Sequence, residues 1–294
     1  MHFGRVGLLV VAMLTGCQQM PLGRTPSQTA PLNLPPEAAA SAMTALRAGM
    51  DTAANNLSNA GTPGFKATQL VLSEVAPAQR ALTDGNENHA SAAILVGAGV
   101  RVSATRLDMR QGPAVFTGRD LDVMIEGGGF FRVRLPNSEG LAYSRCGSWV
   151  LNGDGQLVYS ADPAIVLEPA ITIPSQAIPP VRISADGRVM VQLAGSPEPQ
   201  EVGQIELASF ANPEGLRPIG GQLFVETSKS GPPMSGAPGQ DANGSLRQTF
   251  LEGSNVNPDI ERLNFLRLSQ LYQAWNDLAF ASLAGSRGVA MSDR

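Results

Sequence analysis

Residues that could carry out catalytic chemistry are few and scattered in this chain of 294 residues. His2 and His89 are its only histidines, so a Ser–His–Asp or Cys–His site would depend on His89, which stands in a polar stretch. Cys146-Gly147-Ser148-Trp149 faintly echoes a cysteine-protease signature, but the second cysteine and the downstream histidine of that signature are missing. We therefore expect no enzyme and no catalytic residue, and we interpret Cys146 as a small strand residue.

Glycine and aspartate patterns also fall short of a ligand site. Gly97-Ala98-Gly99 follows an apolar segment, but Val102 occupies the third glycine position of a dinucleotide-binding turn. Gly127-Gly128-Gly129 lacks the Lys-Ser/Thr pair of a phosphate-binding loop. Asp120 and Asp122 are too few to form a metal site. The sequence predicts neither a cofactor nor a metal.

Cys17 is the residue for which the sequence predicts a chemical modification. Arg5 supplies a positive charge before a short apolar segment, and Leu14-Thr15-Gly16-Cys17 resembles a bacterial lipobox. The pattern predicts a lipoprotein-type signal peptide over residues 1–16, followed by lipidation of the Cys17 thiol. Gln18, in place of aspartate, favours the outer membrane. A buried N-terminal segment with an incidental cysteine is the alternative.

Two apolar heptad patterns predict helices at opposite ends of the chain, the first after a proline-rich linker over residues 17–36. We assign an assembly helix to residues 37–64, and a second assembly helix with a tail to residues 257–294. The apolar positions of the first are Ala39, Met43, Leu46, Met50, Ala53 and Leu57. Those of the second are Ile260, Leu263, Leu268, Leu271, Ala274, Trp275 and Leu278. The second stripe is wider than one partner helix needs, which predicts contact with more than one neighbour.

The region between the helices is rich in glycine and in short alternating segments, which favours antiparallel strands. We assign an extended segment and loop to residues 65–95, a β domain to residues 96–230, and a return linker with one strand to residues 231–256. The expected fold class is α+β. An antiparallel, mainly-β central domain is flanked by N- and C-terminal heptad-type helices that pair as a coiled coil.

Turn sequences predict the strand connections within the β domain. Asn152-Gly153-Asp154-Gly155 and Ala185-Asp186-Gly187 each stand between two short apolar segments, as in β-hairpins. We interpret Gly127-Gly128-Gly129 as a tight link between strands at residues 122–126 and 130–135. Residues 204–208 are expected to form one further strand.

Two motifs at opposite ends of the chain carry a resemblance to a known family. The N-terminal motif includes Asn55, Asn56, Asn59, Gly64 and Phe65, and the C-terminal motif includes Ser254, Asn255 and Val256 before the second helix. Together they resemble the signatures of the bacterial flagellar rod and hook proteins. The middle of the chain, around Gly129-Phe130-Phe131 and Tyr143-Ser144-Arg145, resembles the distal rod branch of that family, with the proximal rod branch as the nearest alternative.

The resemblance implies a structural subunit of the flagellar basal body that self-assembles helically into the drive shaft and transmits torque to the hook. The implied partners are further copies of the chain, other rod proteins, the hook protein and the ring proteins, in the periplasm. The net charge of −4 gives no reason to expect nucleic acid. Rod proteins normally begin at the first helix, so the signal and linker motivate an alternative. In it, the chain is a lipid-anchored envelope paralogue that acts as a binding or structural module outside the shaft, held to the membrane only through Cys17.

Overall fold

The computed structural model describes residues 36–76, 78–81, 93–96, 99–136 and 140–289. Two helices, α1 (Pro36–Ser58) and α2 (Pro258–Val289), enclose the strands in the chain. The strands are β1 (Thr68–Glu74), β2 (Ala78–Ala81), β3 (Ala93–Val96), β4 (Val100–Leu107), β5 (Ala114–Phe116), β6 (Val123–Glu126), β7 (Phe130–Arg134), β8 (Leu141–Ser144), β9 (Trp149–Leu151), β10 (Leu157–Tyr159), β11 (Asp162–Leu167), β12 (Ala177–Ile183), β13 (Arg188–Leu193), β14 (Pro199–Gln204), β15 (Leu207–Ser209), β16 (Arg217–Gly220), β17 (Leu223–Val225), β18 (Met234–Gly236), β19 (Ser245–Gln248) and β20 (Phe250–Glu252). The protein is therefore mainly antiparallel β with one helix at each end of the described chain.

The strands form two structural parts. In the first part, β1 and β4 pair antiparallel and form a two-stranded ribbon. β2 and β3 also pair antiparallel. The remaining strands, β5 to β20, form what we call the β body, residues 114–252. Its largest sheet has nine strands in the order β16-β17-β8-β7-β11-β10-β9, with β15 joining β7 and β18. A three-stranded sheet, β12-β13-β14, and the pairs β6–β19 and β5–β20 complete it.

Both faces of the large sheet are covered. Neighbouring residues of one strand point to opposite faces, so a single strand contributes side chains to the core on each side. Phe131 faces the main core, where it meets Trp149 edge-on at 5.4 Å between ring centroids. Phe130 faces a second cluster and lies 5.8 Å from Phe210. Trp149 and Leu157 are fully buried in the main core. A sheet covered on both sides explains why this region reads as apolar runs as well as alternating segments.

The predicted hairpins agree with the structure, and Gly127–Gly129 links two strands, β6 and β7, as expected. β9 and β10 pair around Asn152–Gly155, and β12 and β13 pair around Ala185–Gly187. The link at Gly127–Gly129 does not join two paired strands, because β6 pairs with β19 while β7 pairs with β8. This connection carries the chain from one sheet to another.

Several strands differ from their expected bounds. The strand expected at residues 204–208 is divided between β14 and β15, and β18 lies inside the expected return linker. Thr249 has a φ of 67°, which separates β19 from β20. Cys146 lies in the link between β8 and β9 rather than in a strand, and it is buried. Tertiary pairing decided these boundaries.

Candidate functional site: the helix pair and its junction with the strands

The two helices pack against each other in antiparallel directions. Near one end, Asn56 Nδ2 donates a hydrogen bond of 3.3 Å to Glu261 Oε1. Two turns earlier in α1, Gly49 faces Leu268 so closely that an added Cβ would lie 3.0 Å from Leu268 Cδ1. A step backward along α1 thus corresponds to a step forward along α2. The absence of a side chain at Gly49 permits this close approach.

The side of α1 that meets α2 is narrower than the predicted heptad stripe. Gly49, Ala53 and Asn56 line the groove between the helices, and Ala53 and Asn56 are buried. The other predicted assembly residues of α1 are more open in the single chain. Met43, Leu46 and Met50 are half-buried, and Leu57 is exposed.

α2 leaves an apolar face open to solvent. Ile260 is 55% exposed and Leu263 is 65% exposed, although both are large aliphatic side chains. Leu271 and Leu278 are exposed as well, whereas Trp275 is half-buried. Single exposed apolar residues are ordinary on protein surfaces, but a row of them along one helix marks an interaction surface.

The asparagines of the N-terminal motif end α1 and attach it to the ribbon. Asn59 Nδ2 donates to the Asn55 side-chain oxygen at 2.8 Å, at the last turn of the helix. Asn55 is exposed and Asn59 half-buried, whereas Asn56 is buried. Asn56 Oδ1 accepts a hydrogen bond from Thr68 N, and its Nδ2 donates to Thr68 O. The Asn56 amide therefore pairs with the start of β1 as a neighbouring strand would.

Gly64 allows the chain to turn from α1 against the β body. Its φ is +71°, a conformation that L side chains rarely adopt. An added Cβ would also lie 2.5 Å from the backbone nitrogen of Cys146. Gly64 is buried and the neighbouring Phe65 is half-buried.

The C-terminal motif holds the N-terminal end of α2 beside the C-terminal end of α1, and we call these two helix ends the roots of the helices. Asn255 Oδ1 accepts from Ala67 N at 2.8 Å, while Asn255 Nδ2 donates to Asp108 O at 2.7 Å. Ser254 is buried, and its Oγ accepts from the backbone nitrogen of Val256, which is also buried. These contacts keep the segment before α2 against the segment that leads out of α1.

Asn257 begins α2. Its Oδ1 accepts hydrogen bonds from Asp259 N at 3.1 Å and Ile260 N at 3.2 Å, and Pro258 stands at the first helical position. This is the N-cap arrangement, in which a side-chain oxygen satisfies backbone donors that have no partner within the helix.

A buried group of three charged side chains lies at the same junction. Glu252 is fully buried; its Oε1 accepts from Lys66 Nζ at 2.5 Å, and its Oε2 accepts from Arg145 Nε at 2.7 Å. Burial is the main factor that lowers the pKa of Lys66, while the Glu252 carboxylate acts in the opposite direction. The sequence patterns assigned no role to any of these three residues. Their separation along the chain hid the contact.

The remaining described residues do not form a metal site or a reactive cysteine. Within the ranges that the structure describes, no group of three or more His, Cys, Asp or Glu side chains is placed to hold a metal ion. Neither described helix is long and apolar enough to cross a membrane. Burial raises the pKa of the Cys146 thiol, which disfavours the reactive thiolate. His89, Cys17 and the predicted signal peptide and linker up to residue 35 lie outside the described residues.

Comparison with known proteins places this arrangement in a family. Residues 37–66 match the family described as "Flagella basal body rod protein", and residues 124–191 match the "Flagellar hook protein FlgE/F/G D1 domain". The flagellar basal-body rod protein FlgG of Borreliella burgdorferi is 38% identical over 256 residues, covering 86% of this chain and 95% of that protein. The chain belongs to the FlgG family of flagellar basal-body rod proteins. This confirms the resemblance that its two motifs predicted.

Two further relatives, both from one other bacterium, are also rod proteins. FlgG of Caulobacter vibrioides is 35% identical over 239 residues, which cover 80% of this chain and 90% of the relative. The rod protein FlgF of the same organism is 30% identical over 231 residues, covering 78% and 85% of the two chains. The chain is thus a structural rod protein and not an enzyme. The alternative of an envelope module outside the shaft receives no support from these matches.

Proposed function

We propose that this FlgG-family chain is the subunit of the distal rod, and that it self-assembles helically into the drive shaft that transmits torque to the hook. The observation that carries the proposal is the open apolar face of α2. Ile260 and Leu263 are more than half exposed in the single chain, although α2, the helix that carries them, already packs on α1. A second copy of the chain, which presents the same apolar helix pair, is the occupant that fits this face.

In the proposed assembly the helix pairs associate as coiled coils in an inner layer, and the β bodies form the outer layer. The division of the molecule supports this arrangement. Large buried aromatic residues such as Trp149 and Tyr143 hold the β body together within one chain. The helices instead leave Leu57, Leu271 and Leu278 exposed, so neighbouring copies would bury them.

The shaft would also contact other proteins at its two ends and along its outer surface. We propose other rod proteins, the hook protein and the ring proteins of the basal body as partners, in the periplasm. Neither nucleic acid nor a cofactor has a part in this function.

The decisive experiment places polar residues on the open face of α2. We expect the full chain carrying Ile260→Ser and Leu263→Ser, expressed in cells that lack the unmodified gene, to fold but to leave basal bodies without a complete rod. Electron microscopy of purified basal bodies measures the rod, and Trp149 fluorescence of a separate preparation that also carries Trp275→Phe reports the β body. Gln273→Ser, at an exposed polar position of the same helix, is the matched control. Normal rods in the double variant would overturn the proposal.

We further propose that the chain reaches the periplasm with a cleaved signal and a lipid on Cys17. The lipobox-like Leu14-Thr15-Gly16-Cys17 and the proline-rich linker support this proposal. Mass spectrometry of the mature N-terminus should find residues 1–16 removed and Cys17 acylated, and Cys17→Ser should abolish the acylation. An N-terminus that still begins at Met1 would refute this route without affecting the proposed role in the rod.

A further inference from the structure

We propose that Lys66, Arg145 and Glu252 form a clasp that positions the roots of α1 and α2 side by side, so that the helices pair in one register. The inference rests on the proposed function, because it concerns how the helix pair that assembles is prepared. The three residues come from three segments: the exit from α1, the link between β8 and β9, and the end of β20. In the fold they meet at a single carboxylate.

The geometry of the clasp joins backbone as well as side chains. Glu252 Oε1 accepts from Lys66 Nζ at 2.5 Å and from Gly112 N at 2.9 Å. The backbone oxygen of Glu252 accepts from Gly64 N at 2.7 Å. Glu252 thus holds the segment that leaves α1 through its side chain and its main chain, six positions before α2 begins.

The charges of the clasp are compensated within the protein. Two cations face one carboxylate, and the side chains of all three residues are at most 5% exposed. Lys66 Nζ also donates to the Arg110 carbonyl at 2.8 Å, and Arg145 Nη1 donates to the carbonyls of Gly127 and Gly129. These carbonyl oxygens offset the additional positive charge. A buried ion pair of this kind adds little net stability over apolar side chains, but it specifies one arrangement strongly, because an unpaired buried charge is costly.

The position of the clasp explains why one arrangement matters here. Pairing of β5 with β20 already brings residue 252 near residue 114. Through that pairing alone, about 60 residues would separate the two helices, whereas the contacts between residues 64–67 and 252–255, of which the clasp is the charged part, leave about 12. The closure term falls with the 3/2 power of loop length. Together these contacts raise the effective concentration of one helix beside the other by about tenfold, and the clasp supplies the side chains whose charges are unpaired in any other arrangement. It also sets which turn of α1 meets which turn of α2.

Hydrogen exchange followed by mass spectrometry tests this role in the full, unassembled chain. Lys66→Met keeps the length of the side chain and removes its charge. We expect amide protection in α1 and α2 to fall about tenfold, while protection in β8 to β10 is retained. Lys66→Arg should restore protection in both helices. Arg247→Met, which removes an exposed arginine that pairs with Glu126 at 3.0 Å, is the control and should change neither region.

The outcomes separate a positioning role from a general contribution to stability. Equal loss of protection in the helices and in β8 to β10, or no loss in either, would overturn the proposal, as would helices without protection in the unmodified chain. If Lys66→Met does not fold, Arg145→Lys retains a charge but loses the fork of the guanidinium, and it should produce the same selective loss. The exchange measurement needs no polymer. Its result is therefore independent of the electron microscopy of basal bodies that tests the proposed function.

Discussion

The β body and the helix pair are built in opposite ways. In the β body, Trp149 and Phe131 meet in a core that excludes solvent, and Leu157 beside them is fully buried. In the helix pair, Gly49 and Asn56 of α1 meet Leu268 and Glu261 of α2, while large apolar residues such as Ile260 and Leu263 are exposed. One region is complete within a single chain, and the other has an apolar face for which the described chain supplies no cover.

This difference indicates where stability and assembly reside. Burying a large apolar side chain contributes roughly 1.5–3 kcal/mol, and the β body has already gained that contribution within the chain. An exposed Leu263 or Ile260 gains it only when another molecule covers it. Substitutions in the two regions should therefore have separable effects, and the following predictions test that separation.

The largest effect on folding is expected in the core of the β body. Leu157→Ala should lower the free energy of unfolding by roughly 2–5 kcal/mol, because it removes buried methyl groups and leaves a cavity. Chemical denaturation of the full chain, followed by Trp149 fluorescence in a Trp275→Phe background, measures the change. Leu263→Ala in the same background should alter the free energy by less than about 0.5 kcal/mol, as is usual for surface positions. Similar losses for both variants would contradict the contrast between the regions.

An intermediate effect is expected where the two regions join. Gly64→Ala should cost roughly 1–3 kcal/mol, because φ is +71° and the new Cβ would lie 2.5 Å from Cys146 N. Gly61→Ala is a matched control three residues earlier, since no atom stands within 4 Å of its added Cβ. Thermal unfolding of both variants provides the comparison. A loss at Gly61 as large as that at Gly64 would show that the close approach to Cys146 is not the cause.

An effect that is absent at neutral pH is a response to alkaline pH that belongs to the β body. Burial raises the pKa of Tyr159, of Tyr143 and of Cys146 above their ordinary values of 10.0, 10.0 and 9.0. Because the folded-state pKa values are the higher ones, the associated stability is complete below about pH 9 and is lost as the pH rises toward them. Each group should contribute a slope of up to about 1.4 kcal/mol per pH unit.

Denaturation of the full chain in the Trp275→Phe background between pH 8 and pH 11 should reveal this slope through Trp149 fluorescence. Tyr159→Phe removes one of the three groups and should flatten the slope. It should also lower stability at neutral pH, because the Tyr159 hydroxyl donates to Gly221 O at 3.0 Å. An unchanged slope in this variant would show that Tyr159 does not titrate in the way its burial requires.

Features that depend on residues close together in the sequence were predicted well. The heptad patterns located both helices, and the turn sequences at Asn152–Gly155 and Ala185–Gly187 located two hairpins. Turn chemistry is local, so it can be read without knowing the fold. The pairing partners of the strands on either side of Gly127–Gly129, and the break of the last strand at Thr249, were not predicted, because each depends on a partner far along the chain.

The candidate site shows the same division. Its motifs identified the family, which homologous sequences then confirmed. The heptad pattern did not reveal that Gly49 and Asn56, which are not among its apolar positions, meet α2 in the single chain. An apolar stripe records every contact that a helix makes, including those with other molecules, and so it cannot assign each residue to one partner.

By itself, the amino-acid sequence determined the two helices, the antiparallel character of the middle region and membership of the rod-protein family. Each of these follows from periodicity, turn residues or motifs that occupy short stretches. Only the tertiary structure decided which strands pair and how the ends of the chain are joined. The meeting of Lys66, Arg145 and Glu252 depends on contacts between residues up to 186 positions apart, and no local pattern encodes them. Lys66 and Arg145 reach the buried Glu252 carboxylate only because the tertiary fold brings three distant segments together.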